Sequence, residues 1–219
     1  MKEKLARGLL ESKAITVNLK NPYVFVSGTI SPVYVDVRKL LSYPEVRNEI
    51  IDGFLEILKN KIDIPKIDVI AGGETAGIPF AAMLSHELGL PMIYIRKEPK
   101  GYGQDNQIEG VAKENQKILL VEDVITSGSS KIKFNIGIRA AGAVLTDCLC
   151  VFGYESSELN IGEGREKLKE YGIDLHILVN WDDVLSIAEQ EDYFNEKEIR
   201  QIRDFLTAPE EWGKKMGYE

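Results

Sequence analysis

The sequence predicts an α/β fold in which a doubly wound, mainly parallel sheet is flanked by helices. Between residues 68 and 152, short apolar runs alternate with amphipathic segments, and this alternation implies right-handed strand–helix–strand crossovers. The run Ile118–Val121 is apolar throughout, as a strand buried on both faces would be. Segments rich in glycine or hydroxyl side chains follow two of the runs, at the strand ends where open α/β sheets bind ligands.

The first part of the chain is predicted to contain two helices and three short strands. Leu5 and Leu9 share one face of a helix over Met1–Ser12. A second amphipathic helix covers Pro44–Lys59, and its proline suits the first helical turn. The segments that are apolar or alternate in polarity, as strands do, are Ile15–Val17, Tyr23–Val26 and Ser31–Val37.

The middle of the chain supplies the alternating elements of the sheet. The predicted strands are Asp68–Ala71, Met92–Arg96, Lys117–Val121 and Val144–Phe152. The helices between them, Ile78–Leu88 and Lys131–Ala141, each end at a glycine, Gly89 or Gly142, and glycine commonly closes a helix. The stretch Lys97–Gly110 contains several glycines and few apolar residues, so it is predicted to be a long loop.

After Tyr154 the regular alternation of strands and helices ends. Arg165–Tyr171 and Trp181–Gln190 are predicted helices on either side of a brief strand, His176–Val179. A last helix covers Asn195–Leu206, with the asparagine as its N-cap. We expect these elements to cover the sheet rather than to form a second domain.

Length and composition restrict the class of protein. A chain of 219 residues with 44% hydrophobic and 28% charged residues suits one globular domain. The net charge of −8 and the isoelectric point near 5.0 argue against nucleic acid or a membrane surface as a general partner. No run approaches about 18 apolar residues, so no membrane span is expected. The two cysteines, Cys148 and Cys150, are predicted to be buried thiols of a cytoplasmic protein.

The segment Lys117–Ser130 combines groups that suit a sugar phosphate. Two acids, Glu122 and Asp123, follow the apolar run and could accept hydrogen bonds from ribose hydroxyls or lie near a magnesium ion. Thr126–Ser130 supplies hydroxyl residues around one glycine before a helix, where free backbone N–H groups bind anions. The segment therefore predicts a ribose 5-phosphate site. The alternative is plain structure, since an Asp or Ser that caps a helix after a strand is common.

Two further segments are candidates for binding pyrophosphate. Arg96, Lys97 and Lys100 lie within five residues of a chain that is acidic overall, and the glycines of their loop would let it close over an anion. Taken alone, this loop could equally be a solvated surface loop. The segment Gly72–Gly77 is rich in glycine between a predicted strand and a predicted helix, so its backbone amides can approach an anion closely.

Several motifs resemble one enzyme family. The segment V-E-D-V-I-T-S-G-S resembles the motif with which type I phosphoribosyltransferases bind phosphoribosyl pyrophosphate (PRPP). Four other segments are similar to segments of the orotate phosphoribosyltransferases: Ser27–Arg38, Gly72–Pro79, Arg96–Gly103 and Ile108–Gly110. The similarity extends from near Ile15 to near Glu155, and the tail from near Gly164 resembles the C-terminal extension of one subgroup of that family.

The resemblance implies a single domain over residues 1–219 with three parts. These are an N-terminal hood (residues 1–43), a core (44–155) and a helical C-terminal extension (156–219). It also implies a Mg²⁺-dependent enzyme that transfers ribosyl 5-phosphate from PRPP to orotate and releases pyrophosphate, in pyrimidine synthesis. Two other interpretations stay open: a phosphoribosyltransferase for a purine or another base, and a non-catalytic PRPP-binding regulator.

The resemblance further assigns roles to individual residues. Lys100 and Asp123 are the expected catalytic residues. The residues expected to contact PRPP are Thr75, Ala76, Arg96, Lys97, Lys100, Tyr102, Glu122, Asp123, Val124, Ile125, Thr126, Ser127, Gly128, Ser129 and Ser130. The residues expected to contact orotate are Tyr34, Val35 and Thr126. Mg²⁺ is expected to bind mainly through PRPP, with Glu122 and Asp123 as candidates for contacts through water.

The resemblance also implies a homodimer, in which the loop 97–110 of one subunit reaches the site of the other. One departure from the family concerns the base. The Asp-Arg pair that follows the last core strand in the family, whose arginine binds the orotate carboxylate, appears here as Phe152-Gly153. In addition, Ala76 stands where the family usually has a lysine, and Tyr102 where it usually has a histidine.

Overall fold

A six-stranded sheet forms the centre of the protein, whose computed structural model describes residues 1–25, 28–62, 64–99, 107–159 and 161–217. The described strands are β1 (Ile15–Val17), β2 (Tyr23–Val24), β3 (Ile30–Ser31), β4 (Val33–Val35), β5 (Val69–Gly73), β6 (Met92–Ile95), β7 (Ile108–Glu109), β8 (Lys117–Ile125), β9 (Val144–Gly153) and β10 (Asp174–Asn180). The central sheet has the order β10-β9-β8-β5-β6-β7, and among these strands only β7 runs antiparallel to its neighbour.

Helices lie on both faces of this sheet. The described α-helices are α1 (Lys2–Glu11), α2 (Pro44–Lys61), α3 (Gly77–Leu88), α4 (Ser129–Ala140), α5 (Glu163–Glu170), α6 (Trp181–Gln190), α7 (Glu196–Thr207) and α8 (Pro209–Lys215). The predicted doubly wound, mainly parallel sheet is therefore confirmed. Within the described ranges, none of the helices is long and apolar enough to cross a membrane.

The apolar residues form two cores, one on each face of the sheet. The first core contains residues of α1, α2, α3, α6 and α7, together with Leu119 and Val121 of β8. The second contains residues of α4 and α5, together with Ile118 and Leu120 of the same strand. Successive side chains of β8 thus enter opposite cores, which is why its apolar run is continuous.

The hood consists of two short antiparallel strand pairs. β1 pairs with β4, and β2 pairs with β3. Val33, Val35 and Val37 are all buried, in agreement with their alternation in the sequence. However, Val37 begins a 3-10 helix over Val37–Ser42 instead of extending the strand. Helix α8 packs on β3, so the C-terminal extension contacts the hood.

The structure corrects the predicted elements at four places. β8 continues through its two acids to Ile125, because its backbone pairs with β9 as far as Gly153. The predicted long loop contains β7, which pairs with β6. β10 is an integral strand of the central sheet, so the extension does more than cover the sheet. Helix α8 was not anticipated, since a helix of 7 residues carries little periodicity.

Two smaller predictions are confirmed. The side chain of Asn195 accepts the backbone N–H of Glu198 at 3.0 Å, and the carboxylate of Glu198 accepts the backbone N–H of Asn195, so Asn195 caps α7. Cys148 and Cys150 are buried free thiols on β9, and their sulfur atoms are 3.8 Å apart.

Candidate active site

Three neighbouring strands carry the predicted binding segments to one edge of the sheet. β8, β5 and β6 lie side by side and run parallel, so their carboxyl ends meet. Thr126–Ser130 follows β8, residues 74–76 follow β5, and Arg96 follows β6 directly. The structure therefore brings together the three segments that the sequence singled out, at the edge where open α/β sheets bind ligands.

The segment between β8 and α4 is a tight turn of small residues. Gly128 has a φ of +76°, a left-handed conformation that favours glycine, and it immediately precedes α4. The hydroxyl oxygens of Ser127 and Ser129 are 3.0 Å apart. The N–H groups in the first turn of a helix have no partner within that helix. The turn and the start of α4 thus offer several donors to an anion.

Helix α5 supports this turn from behind. A Cβ atom at Gly164 would overlap the carbonyl oxygen of Thr126. A Cβ atom at Gly128 would lie 3.3 Å from the carbonyl oxygen of Gly164. The two backbones therefore touch, and this close packing fixes the position of the turn.

The two acids of β8 point to opposite faces of the sheet. Because side chains alternate along a strand, Glu122 and Asp123 do not lie side by side. Glu122 is buried, with 5% of its surface exposed, and lies on the α4 face. Asp123 is half-buried and faces the hood, where its charge adds to that of Asp36 in raising the pKa of Arg38. Only Asp123 is thus open to a ligand on the hood side.

Glu122 forms a buried ion pair with Lys131, in the first turn of α4. Its Oε2 atom lies 2.5 Å from the Lys131 Nζ atom, which also donates to the carbonyl oxygen of Val124 at 2.6 Å. Burial raises the pKa of Glu122, and the lysine opposes this shift. Burial alone lowers the pKa of Lys131, but the carboxylate outweighs it and raises that pKa. The sequence predicted that Glu122 binds ribose hydroxyls, whereas the structure places its carboxylate on Lys131.

The segment between β5 and α3 is enclosed by two glycines, Gly73 and Gly77. The peptide bond between Glu74 and Thr75 is cis. Thr75 is exposed and Ala76 is half-buried, so the backbone of this segment can be reached from solvent. The segment can therefore present its amides at the same edge as the turn after β8.

The basic loop after β6 is joined to the segment after β5. The backbone N–H of Lys97 donates to the carboxylate of Glu74 at 2.9 Å. The backbone N–H of Arg96 donates to the carbonyl oxygen of Gln107 at 2.8 Å, and its guanidinium lies 4.0 Å from Glu109. The structure thus places Arg96 and Lys97 at the predicted site. The two other predicted residues of this loop, Lys100 and Tyr102, lie outside the described residues.

A cavity of about 580 Å³ opens beside the turn after β8. Thr126 and Ser127 line it together with Phe25 of the hood, Tyr154 after β9 and Phe205 of α7. Thr126 is one of the predicted orotate residues. The other two, Tyr34 and Val35, are not among its lining residues: Tyr34 is exposed on the hood and Val35 is buried.

Tyr154 links the cavity to the predicted orotate residues, and sequence reasoning did not find it. Burial raises the pKa of Tyr154, the nearby Tyr34 adds to this shift, and a hydrogen bond with the backbone of Val35 opposes it. The ring of Tyr154 packs edge-on against Phe25 and Trp181, at centroid distances of 6.3 and 5.7 Å. No motif in the sequence pointed to this tyrosine, because its contacts join the hood to the extension.

Arg38 is a second site residue that sequence reasoning placed in a motif without giving it a role. Its Nη2 atom donates to the Tyr34 hydroxyl at 3.3 Å, and its Nε atom donates to Asp36 at 2.6 Å. Together with its proximity to Asp123, these contacts put a guanidinium between the hood and the end of β8.

Comparison with known proteins identifies the relatives of this chain. Residues 38–161 match the family model described as "Phosphoribosyl transferase domain". The orotate phosphoribosyltransferases of Sinorhizobium fredii and Rhizobium meliloti are each 43% identical over 217 residues, which cover 99% of this chain and 92% of the relative.

Solved structures share the fold. The crystal structure of orotate phosphoribosyltransferase from Aeropyrum pernix superposes with a TM-score of 0.72 at 28% identity, covering 87% of this chain and 99% of that one. The structure of Leishmania donovani UMP synthase superposes with a TM-score of 0.78 at 23% identity; the match covers 93% of this chain and 42% of that longer chain.

The contact between the carboxylate of Glu122 and Gly77 makes a prediction about a helix start. A Cβ atom at Gly77 would lie 2.7 Å from Glu122 Oε1 and would overlap the carbonyl oxygen of Val121. Replacing a helical glycine by alanine usually stabilises a protein by about 0.5–1 kcal/mol. We expect Gly77→Ala instead to lower the free energy of unfolding by about 1–3 kcal/mol, since overpacking displaces its neighbours.

Urea denaturation measures this change, and Gly162→Ala is the matched control, because a Cβ atom there meets no atom within 4 Å. A Gly77→Ala variant as stable as the unmodified protein would show that the two segments are not packed as described.

Proposed function

The chain belongs to the orotate phosphoribosyltransferase family, and on this premise we propose how its residues carry out the reaction. The reaction transfers the ribosyl 5-phosphate group of PRPP to a nitrogen of orotate, giving orotidine 5′-monophosphate and pyrophosphate. The observation that carries this conclusion is the 43% identity over 99% of the chain. Neither a purine transferase nor a non-catalytic regulator has an observation in its favour.

The ribose 5-phosphate half of PRPP is proposed to bind at the end of β8. The 5-phosphate accepts hydrogen bonds from the amides and hydroxyls of Thr126–Ser130, where the turn and the helix start supply donors. The carboxylate of Asp123, which is open toward the hood, accepts the ribose hydroxyls. Val124 and Ile125 contribute through their backbone. This arrangement holds the sugar at a fixed angle to the incoming base.

The pyrophosphate half is proposed to bind between the ends of β5 and β6. The backbone of Thr75 and Ala76 and the side chains of Arg96 and Lys97 surround the leaving group. Cleavage of the bond from C1 of the sugar leaves an oxocarbenium-like ribose and adds negative charge to the pyrophosphate, so cations placed there stabilise the transition state. From the sequence, Lys100 is the cation proposed to act on this charge most directly, with Tyr102 beside it.

Mg²⁺ is proposed as the cofactor. No group of three or more His, Cys, Asp or Glu side chains that could hold a metal is found in the described part of the chain. Asp123 alone offers a half-buried carboxylate with hard oxygen atoms, which suits Mg²⁺ held mainly by the phosphates of the substrate. When bound, the ion would neutralise charge on the pyrophosphate.

Base recognition is proposed to involve Tyr34, Val35 and Thr126, with Arg38 as the cation for the orotate carboxylate. An arginine side chain at position 153 is excluded, because even a Cβ atom there would overlap Ile177 of β10. Arg38 donates to the Tyr34 hydroxyl at 3.3 Å and lies near Asp123. A guanidinium in this place can bind a carboxylate with two parallel hydrogen bonds.

A homodimer is proposed in which the loop 97–110 acts at the partner's site. Two exposed apolar side chains flank the attachment of this loop: Val111 directly follows it, and Ile136 lies on α4, next to the glycine that packs on Gln107. Their burial between subunits would account for their exposure in one chain. The free thiols of Cys148 and Cys150 support the proposal of a reducing, cytoplasmic location.

The choice of base has a direct test. The protein is mixed with Mg²⁺, PRPP and either orotate, hypoxanthine or adenine, and the ultraviolet absorbance is followed. We expect the absorbance to change with orotate alone, because the relatives matched over nearly the whole chain act on orotate by name. Turnover of a purine without turnover of orotate would contradict the assignment.

The role of Arg38 is tested by Arg38→Ala. Hydrogen bonds to a charged group contribute about 1.5–3 kcal/mol, so we expect KM for orotate to rise roughly 10- to 100-fold. KM for PRPP should change little. The control is Lys39→Ala, since the Lys39 ammonium donates to the carbonyl oxygen of Lys13 at 2.8 Å, away from the site. An unchanged KM for orotate in Arg38→Ala would remove Arg38 from base binding.

The catalytic and shared-loop proposals are tested together. Lys100→Ala should lower kcat by about 10²–10³, the usual cost of losing one charge-stabilising group, with little change in the unfolding midpoint. Asp123→Asn should also be nearly inactive.

If the loop acts across the dimer, mixing the two inactive variants restores activity, because a heterodimer contains one site with both Asp123 and Lys100 intact. Mixing should give no recovery if each loop serves its own subunit. A Lys100→Ala variant with full activity would refute the catalytic role itself.

A further inference from the structure

The ion pair between Glu122 and Lys131 joins two of the three segments of the site. Glu122 belongs to β8, and Lys131 lies one helical turn beyond the phosphate-binding turn. Both residues are almost fully buried, with 5% and 4% of their surfaces exposed. The lysine also donates to the carbonyl oxygen of Val124 at 2.6 Å, so it holds the end of β8 from two sides. The pair therefore fixes α4, and with it the turn, against the strand.

The other oxygen of the same carboxylate touches the segment after β5. A Cβ atom at Gly73 would overlap Glu122 Oε1, and one at Gly77 would lie 2.7 Å from it. Gly73 and Gly77 enclose Thr75 and Ala76, the residues proposed to contact pyrophosphate. The absence of side chains at both glycines is thus what allows the carboxylate to lie directly beneath this segment.

We propose that Glu122 is a positioning residue, which sets the distance between the phosphate-binding turn and the pyrophosphate-binding segment, and that Asp123 alone binds the ribose hydroxyls. Glu122 uses one oxygen for Lys131 and rests the other on two glycines, on the face of β8 opposite to Asp123. PRPP must span both segments at once, so their separation determines whether its two ends can bind together. The proposal rests on the proposed function for its substrate.

The test is a double-mutant cycle with Glu122→Leu, Lys131→Met and the double variant. Each single change leaves a buried charge without its partner, whereas the double change leaves an apolar pair of similar size. Since an ångström of misplacement can cost catalysis about 100-fold, we expect each single variant to lose about 10- to 100-fold in kcat/KM for PRPP. The double variant should recover most of that loss and most of the unfolding midpoint.

The matched control is the surface pair of Lys4 and Glu49, whose charged atoms are 2.8 Å apart. The variants Lys4→Met and Glu49→Leu should show no coupling in kcat/KM. Binding of ribose 5-phosphate, which carries the diol but no pyrophosphate, supplies the second readout. Asp123→Asn should abolish its binding, and the Glu122→Leu/Lys131→Met double variant should retain it.

If Glu122 binds the ribose diol, the double variant is as inactive as Glu122→Leu and fails to bind ribose 5-phosphate, and the proposal is overturned. Failure of the proposed function looks different. The unmodified protein would then show no turnover of PRPP with orotate, while the cycle measured on the unfolding midpoint would still report the coupling of the pair.

Discussion

The ion pair between Glu122 and Lys131 is the constraint on which the geometry of this site depends. Two charges removed from water are stable only while each remains the partner of the other, and loss of one partner typically costs about 3–5 kcal/mol. Here one member lies in the central strand and the other in the helix that begins the phosphate turn. The strand, the turn and the segment after β5 therefore occupy fixed positions before any substrate binds.

The parallel sheet turns this local constraint into a binding site. Three adjacent strands end at one edge, so a turn that suits a phosphate, a glycine-enclosed segment and a basic loop meet without any long-range folding of loops. The hood and the C-terminal extension add a second layer, with Tyr154 touching both of them. The chemistry that follows needs no covalent nucleophile, because cations and oriented donors supply the stabilisation of the leaving group.

The fold could largely be predicted from the sequence, because continuous apolar runs and helix-ending glycines are local signals. The binding segments could be located as well, since glycine and hydroxyl clusters after strands have few other uses. The partner of Glu122 could not, although a lysine in the first turn of α4 is unfavourable to the helix dipole and was itself a signal. β8 was predicted too short because pairing with β9, and not residue preference, decides where it ends. Gly153 likewise depends on Ile177, which lies on a strand that the sequence marked only weakly.

A crystal structure of the protein with PRPP and Mg²⁺ tests the central claim most directly. The Glu122 carboxylate should remain on the Lys131 ammonium, and the ribose hydroxyls should contact the Asp123 carboxylate alone. A complex in which Glu122 leaves Lys131 and turns to the ribose would contradict the account, because the pair would then be a resting state and not the frame of the site.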